Sequence, residues 1–286
     1  MKITLCRDKI VPMVEGTKES IKWKNHPDLI VAIDYLDDIE NAITRYSNFE
    51  ISADEYVKLV SPFDKHLYKC YYTGGQKTNP FNTNQNKAFS IWKELYWVPM
   101  VERLRKRLVE ATGIPFILIQ GEKNRVAVSV YKNGKWKSKD VDLGIGLISA
   151  SGFVIPIIAI ECKGGHACAT CHDGIWGQGT RMKKTFPNSL QGFITDNHVT
   201  VGKKTSLEEY SDAIDFELVE RGDNIKWIKN VYFPLKAERL LFAEDKLFEK
   251  VSSMPESHWR TTNLLPKPSG ISFRKQLDED GLFFNW

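Results

Sequence analysis

The fold of this chain is decided by one stretch, residues 141–163, whose sequence is VDLGIGLISASGFVIPIIAIECK. Two apolar runs, 141–148 and 154–160, flank the turn-forming residues 149–152. Short apolar runs bounded by turn formers are typical of buried β-strands. The stretch therefore predicts a β-hairpin. Because Pro156 cannot donate to a ladder, we expect the regular pairing of the second strand to begin near residue 157.

An acidic residue lies near each open end of this hairpin. The numbers of Asp142 and Glu161 sum to 303, which centres the turn between Ser151 and Gly152, where the turn formers lie. In that antiparallel register the two carboxylates face each other across the ladder, about 5 Å apart at the backbone. Opposed carboxylates repel unless a cation lies between them, and Mg²⁺ prefers carboxylate oxygens. The register therefore predicts a magnesium site.

The residues that follow Glu161 complete the predicted centre. Strand side chains alternate, so Glu161 and Lys163 point to one side and Cys162 points to the other. A metal held by carboxylates activates water and stabilises charge on a phosphate, and an ammonium beside that water lowers its pKa. We expect a catalytic centre at Asp142, Glu161 and Lys163, with Asp142, Glu161 and Cys162 at the metal.

A simpler interpretation of the same residues stays open. An Asp followed about twenty residues later by Glu-X-Lys is common by chance, and both acids then are surface residues of a hairpin. The context favours the catalytic interpretation, because the Glu-X-Lys directly follows an apolar strand and a long helix precedes the hairpin.

Helical periodicity precedes the hairpin. Apolar spacing over residues 27–69, with a capping box that begins at Ser52, predicts two helices. A second amphipathic pattern predicts one long helix over residues 88–112, which Gly113 ends. The polar, turn-rich residues 73–86 predict a loop or a linker between them.

After the long helix, apolar residues recur at every second position, the spacing of a β-strand. Alternating residues predict strands over 114–119 and 126–130, followed by a hairpin turn at Asn133-Gly134. Beyond the predicted centre, a helix is expected from Ile175 to Thr185 and a buried strand over residues 190–195. Together these elements predict a mixed α/β fold.

Composition narrows the class of protein. The chain has 286 residues, a formal charge of +4 and five cysteines. An odd number of cysteines with no signal peptide favours free thiols and a cytoplasmic location. The absence of a long apolar run excludes a membrane helix. The mild basic excess suits a phosphate-rich partner, although many proteins that never contact nucleic acid share it.

Three segments resemble one family. Residues 141–145, 158–163 and 181–189 look like the catalytic region of type II restriction endonucleases of the PD-(D/E)XK superfamily, in particular of the BbvCI subunits and their relatives. The likeness spans about residues 140–200. It implies a restriction-endonuclease-like central mixed β-sheet flanked by helices. A helical region over 1–80 would precede a nuclease domain over 81–286, or the two would form one continuous domain.

The resemblance also implies a function. The family hydrolyses double-stranded DNA at specific sequences with Mg²⁺, and two catalytic subunits act on the two strands. This chain would then form a homodimer, or a heterodimer with a homologous subunit. A repair or structure-specific nuclease of the same fold, and a non-catalytic DNA-binding protein that retained it, stay as alternatives.

Further site residues follow from the resemblance. The family's long helix usually supplies another acid, for which Glu94 is the first candidate here and Glu102 the second. Arg181, Lys183 and Lys184 follow the predicted helix and are expected to contact DNA phosphates, unless they form the polar face of a plain amphipathic helix. The chain departs from its relatives after Lys163, because an acidic residue does not follow within a few positions.

Two other motifs have competing interpretations. Residues 168–172, CATCH, match a haem-attachment motif and fit half of a zinc site, but we expect a glycine-rich loop over 164–174 with incidental thiols and imidazoles and no haem. The basic run over residues 103–107 is either a solvated helix face or a DNA contact.

Overall fold

The computed structural model describes residues 7–17, 21–73, 88–130, 136–148, 154–162, 169–197, 200–201, 204–205, 208, 210–222 and 235–255. The helices are α1 (Arg7–Glu15), α2 (Pro27–Asp34), α3 (Leu36–Ser47), α4 (Ala53–Thr73), α5 (Ala88–Thr112), α6 (Ala169–Thr185) and α7 (Ala237–Ser252). The strands are β1 (Ile117–Val130), β2 (Trp136–Ile148), β3 (Val154–Cys162), β4 (Leu190–Asn197), β5 (Thr200–Val201), β6 (Lys204–Thr205) and β7 (Phe216–Gly222).

The chain divides into two compact units. The first combines Met1–Arg103 with Val219–Phe242, and the second combines Leu104–Leu218 with Ala243–Trp286. The domain boundary predicted at residue 80 falls within residues 74–87, outside the described part of the chain. Among the described helices, none is both long and apolar enough to cross a membrane.

Helices build the first unit. Three helices occupy the region for which two were predicted, because α2 ends at Asp34 and α3 begins at Leu36. The prediction was wrong since the apolar spacing continues across Tyr35, which caps both helices. The predicted cap of α4 is confirmed, because the N–H of Glu55 donates to Ser52 Oγ at 3.1 Å.

The long helix α5 has the predicted bounds, Ala88–Thr112. It ends at Gly113, whose φ of 71° is the left-handed conformation that favours glycine after a helix. The Gly113 N–H donates to the carbonyl oxygen of Val109 at 2.8 Å, which satisfies a carbonyl of the last turn.

A mixed sheet has five strands in the order β1-β2-β3-β4-β7, and β1 to β4 lie in the second unit. β2 is antiparallel to β1 and β3, whereas β3 and β4 are parallel. β5 and β6 pair separately. The mixed α/β fold class is confirmed. The two strands predicted over 114–119 and 126–130 are one strand, β1, in which the irregular pairing near Gly121 breaks the alternation.

The β2–β3 hairpin is antiparallel, as predicted. Leu143 pairs with Ile160 and Ile145 with Ile158, so the register that sums to 303 is confirmed at this end. The register shifts by one beyond Ile145. The expectation that pairing begins near residue 157 was wrong, because β3 already pairs from Val154. Pro156 lies next to the register shift, where an irregular ladder tolerates a residue without an N–H.

Helix α6 ends at Thr185 as predicted but begins at Ala169 rather than Ile175. The loop expected over 164–174 is therefore helical from residue 169, and residues 163–168 lie outside the described part of the chain. Strand β4 confirms the strand predicted over 190–195. The sequence patterns did not predict β7 or α7.

Candidate active site

The open end of the β2–β3 hairpin brings Asp142 close to the backbone beside Glu161. Asp142 and Glu161 each lie one residue beyond the pair Leu143–Ile160, in a ladder whose numbers sum to 303. The N–H of Cys162 donates to Asp142 Oδ2 at 2.8 Å. Both acids are half-buried. The ladder and this hydrogen bond hold the two acidic positions on neighbouring strands.

A β-bulge on the other edge of β2 distinguishes Asp142. Gln120 of β1 pairs with Leu143 and Gly121 pairs with Val141, so the register shifts by one residue at Asp142. Bulges turn a side chain away from the regular ladder and are frequent beside active sites. In β2 the bulge coincides with the residue whose carboxylate reaches the backbone of β3.

Strand β3 lies inside the sheet, between β2 and β4. Glu161 pairs with Phe193 of the parallel strand β4. A small pocket opens beside Glu161, and its polar lining includes Gln178 of α6 and Gln191 of β4. The side chains around Glu161 in this pocket are two amides and otherwise apolar groups. The two amides are therefore available as polar neighbours of Glu161.

Helix α6 lies against the same pocket. Ile175 belongs to a buried cluster with Phe193, Ala213 and Ile214. At Gly179 an added Cβ would meet the carbonyl oxygen of Ala213, so only glycine permits this close approach. The approach positions the helix beside Glu161, and Gly179 itself lines the pocket.

Cys162 contacts the site through its backbone. Its thiol is 2% exposed, and strand alternation points it away from Glu161. The backbone N–H of Cys162 is the group that holds Asp142. Cys70 and Cys162 are free thiols.

The other predicted catalytic residues are Lys163, Glu94 and Glu102. Lys163 directly follows β3 and lies outside the described residues. Glu94 is half-buried on α5 and Glu102, on the same helix, is 3% exposed; both belong to the first unit. Their contribution to catalysis stays a prediction.

The three basic residues at the end of α6 have different environments. Arg181 and Lys184 are exposed. Lys183 Nζ lies 2.6 Å from Asp215 Oδ2 and donates to the carbonyl oxygen of Ser189 at 2.9 Å. Asp215 Oδ2 also accepts the N–H of Gln191 at 2.7 Å. Lys183 therefore ties α6 to the start of β4, a role for which the sequence carries no recognisable signal.

The arginines of the basic run on α5 contact other residues of the protein. The guanidinium of Arg103 lies over the ring of Tyr46, 4.5 Å from its centroid. Arg105 donates to the carbonyl oxygen of Phe116 at 3.0 Å. Arg107 forms ion pairs with Glu244 at 2.9 Å and with Asp245 at 2.7 Å. All three arginines are half-buried, so the run is not a plain solvated face.

Comparison with known proteins agrees with this architecture. A solved structure described as the native BbvCI A2B2 tetramer at low resolution has a chain that superposes with a TM-score of 0.54, at 17% sequence identity. The match covers 88% of this chain and 97% of that chain. No protein-family model and no curated protein matches the sequence. The chain therefore has a restriction-endonuclease-like fold.

Proposed function

We propose that this chain is the catalytic subunit of a type II restriction endonuclease of the PD-(D/E)XK class, which hydrolyses phosphodiester bonds in double-stranded DNA with Mg²⁺. The observation that carries the proposal is that Asp142 and Glu161 each lie one residue beyond the pair Leu143–Ile160, on neighbouring strands of a restriction-endonuclease-like sheet. The hydrogen bond from the Cys162 N–H to Asp142 supports it, because it orients one carboxylate beside the other acidic position.

The donor set fits Mg²⁺. Asp142 and Glu161 offer carboxylate oxygens, the ligands that this ion prefers. Cys162 would contribute its carbonyl oxygen, since its thiol is buried and is too soft a ligand for Mg²⁺. When bound, the ion would stabilise charge on the scissile phosphate and make a water molecule a better nucleophile.

The chain's own residues would position the metal ligands and the attacking water. The ladder and the Cys162 N–H hold the Asp142 carboxylate in place before DNA arrives, so less reorganisation is needed during the reaction. Lys163, two residues beyond Glu161 on the same side of a continuing strand, would place its ammonium near the attacking water. Glu94 is proposed as a further acid of the site.

The exposed residues Arg181 and Lys184 are proposed to contact the DNA backbone. Phosphate contacts fix the orientation of a protein on the duplex without reading its sequence. Lys183 would have to leave Asp215 and Ser189 to make such a contact, so we assign it a positioning role for α6 instead.

A second catalytic centre is needed for the second strand. One centre hydrolyses one phosphodiester bond, and a two-fold arrangement brings two centres to a duplex. The neighbour BbvCI is an A2B2 tetramer. We propose that this chain assembles with a second copy or with a homologous subunit. Sedimentation with and without DNA tests this, and a monomer in both conditions that nicks one strand would contradict the homodimer.

The activity is tested by digestion of a panel of plasmid and genomic DNAs with the purified chain. We expect discrete fragments with Mg²⁺ and none with EDTA. Asp142→Asn, Glu161→Gln and Lys163→Ala should each abolish cleavage and retain DNA binding, whereas Glu110→Gln, an exposed acid on α5, should cleave normally.

Other outcomes would replace the proposal. Cleavage without sequence preference would indicate a repair or structure-specific nuclease of the same fold. DNA binding without any cleavage, alone or with a partner subunit, would indicate a non-catalytic protein. Full activity of Asp142→Asn or Lys163→Ala would refute the assigned centre.

A further inference from the structure

A second cluster of metal-ligating side chains lies in the helical unit. Asp28 belongs to α2, and His66 and Cys70 belong to α4. One carboxylate oxygen, one imidazole nitrogen and the thiol sulfur all lie within 4.8 Å of one another. His66 and Cys70 are four residues apart on a helix, a spacing that places both side chains on one face. Asp28, on the neighbouring helix α2, is the third group of the cluster.

The distances are close to those of a tetrahedral zinc site. Cys70 Sγ lies 3.6 Å from His66 Nε2. A Zn–S bond of about 2.3 Å and a Zn–N bond of about 2.1 Å at a tetrahedral angle place sulfur and nitrogen about 3.6 Å apart. Since no pair exceeds 4.8 Å, Asp28 needs only a side-chain adjustment on the order of 1 Å to join them.

One side of the cluster is buried and the other is open to solvent. Cys70 is 6% exposed, while Asp28 and His66 are half-buried, so an ion could enter from solvent. The rings of Tyr35 and Phe63 each lie 6.4 Å from the His66 ring. Burial, together with the adjacent Asp28 carboxylate, raises the pKa of the Cys70 thiol to about 12.

The backbone of α2 already orients the acidic ligand. The Asp28 N–H donates to His26 Nδ1 at 3.3 Å, which caps the start of the helix. His26 Nδ1 lies 3.9 Å from Asp28 Oδ2. Asp28 is therefore held at the first turn of a capped helix, next to another imidazole.

We propose that Asp28, His66 and Cys70 bind a Zn²⁺ ion that ties α2 to α4, with water in the fourth position. The mixture of oxygen, nitrogen and sulfur ligands favours Zn²⁺ over Mg²⁺, which takes oxygen ligands. The site is separate from the Cys168-x-x-Cys171 motif, and it is independent of the proposed cleavage reaction. It would stabilise the helical unit, because an ion that binds the folded chain alone favours folding.

A metal-free network is the competing explanation of the same contacts. His66 Nε2 lies 3.3 Å from the carbonyl oxygen of Asp28, to which a protonated Nε2 would donate. In that case the three side chains only pack together. The two explanations differ in whether the thiol becomes a metal-bound thiolate.

The test is metal binding by the full-length chain. After EDTA dialysis, we expect the protein to take up about one equivalent of Zn²⁺ per chain, measured by elemental analysis. Co²⁺ in its place should give the visible bands of a tetrahedral site and a thiolate charge-transfer band. Added Zn²⁺ should raise the melting temperature.

The variants separate this site from others. Asp28→Asn, His66→Gln and Cys70→Ser should each lose the tetrahedral Co²⁺ bands and the thermal shift, and Cys70→Ser should also lose the charge-transfer band. The matched thiol control, Cys168→Ser with Cys171→Ser, should retain all three. Asp28→Asn changes a half-buried side chain and keeps the proposal testable if Cys70→Ser fails to fold. Absence of binding by the wild-type chain, or binding that survives Cys70→Ser, would overturn the proposal.

Discussion

The two polar clusters of the molecule differ in how the backbone assembles them. Asp142 and Glu161 each lie one residue beyond the pair Leu143–Ile160, in strands that share a register, and one of these strands carries a bulge. Asp28, His66 and Cys70 meet because one helix presents two residues four positions apart to a neighbouring helix. The first cluster offers carboxylates alone and suits Mg²⁺, whereas the second offers three kinds of ligand atom and suits Zn²⁺. Each should therefore respond to different metals and different mutations.

The sharpest test of this difference is a pair of variants. Glu161→Gln should lower DNA cleavage by about a thousandfold or more, since the loss of several kcal/mol of metal-assisted stabilisation has that effect on a rate. It should leave Zn²⁺ binding at one equivalent. Cys70→Ser should lose the Zn²⁺ and keep Mg²⁺-dependent cleavage at a temperature where it is folded. Cleavage rates and elemental analysis of both proteins check this prediction.

The contrast between the two clusters is contradicted if either variant loses both DNA cleavage and Zn²⁺ binding. Loss of Zn²⁺ in Glu161→Gln would show that the ion binds at the sheet. Loss of cleavage in folded Cys70→Ser would show that the helical cluster takes part in the reaction.

The packing of α6 offers a second test. Gly179→Ala should destabilise the chain by about 1–3 kcal/mol, because its Cβ would meet the carbonyl oxygen of Ala213. Gly174→Ala on the same helix is the control, since nothing lies within 4 Å of its Cβ. It should stabilise the chain by about 0.5–1 kcal/mol. Chemical denaturation measures both changes, and equal effects would contradict the close contact.

The same glycine pair also separates the two clusters. Gly179 lines the pocket beside Glu161, so Gly179→Ala should lower cleavage as well as stability. Zn²⁺ binding should not change, because Asp28, His66 and Cys70 belong to the other unit.

Sequence patterns predicted the parts of the fold that depend on local periodicity. The bounds of α5, the cap at Ser52 and the hairpin register over the pairs Leu143–Ile160 and Ile145–Ile158 are confirmed, because each follows from helical spacing, a capping residue or strand alternation. The break at Tyr35 was missed, since apolar spacing continues through it. The position of Glu94 relative to the sheet acids depends on tertiary packing, which periodicity does not encode.

The two polar clusters illustrate the same limit. Asp142 and Glu161 lie on one hairpin, so local register predicts their meeting. Asp28 lies 38 residues before His66 in the chain, and only the packing of α2 against α4 brings them together. A His and a Cys four residues apart within a helical pattern were the only local signal, and many helices carry such a pair.

The basic residues of α6 give a third prediction. Lys183→Met should destabilise the chain by about 1–2 kcal/mol, because it leaves the half-buried Asp215 carboxylate without its cation. Arg181→Ala and Lys184→Ala should change stability by less than about 0.5 kcal/mol, since both side chains are exposed.

DNA binding should show the opposite pattern. Loss of one phosphate contact lowers the slope of log K against log salt by about one, so Arg181→Ala and Lys184→Ala should each flatten it. Lys183→Met should leave the slope unchanged under conditions where it is folded. A flattened slope for Lys183→Met would return this residue to the DNA interface.

The smallest expected effect concerns the cap of α4, the helix that carries two of the three proposed Zn²⁺ ligands. Ser52→Ala removes the acceptor for the Glu55 N–H and should cost about 1 kcal/mol. Ser61→Ala is the control, because Ser61 Oγ only donates to the Val57 carbonyl oxygen within the same helix, and its loss should change stability by less than about 0.5 kcal/mol. Thermal melts without metal measure both. The ligands His66 and Cys70 lie roughly 21 Å and 27 Å along the helix from the cap, at 1.5 Å per residue. Zn²⁺ affinity should therefore be the same in Ser52→Ala as in the wild type. A weaker affinity would show that the site depends on the whole of α4, and not only on the contact between α2 and the turn that holds His66 and Cys70.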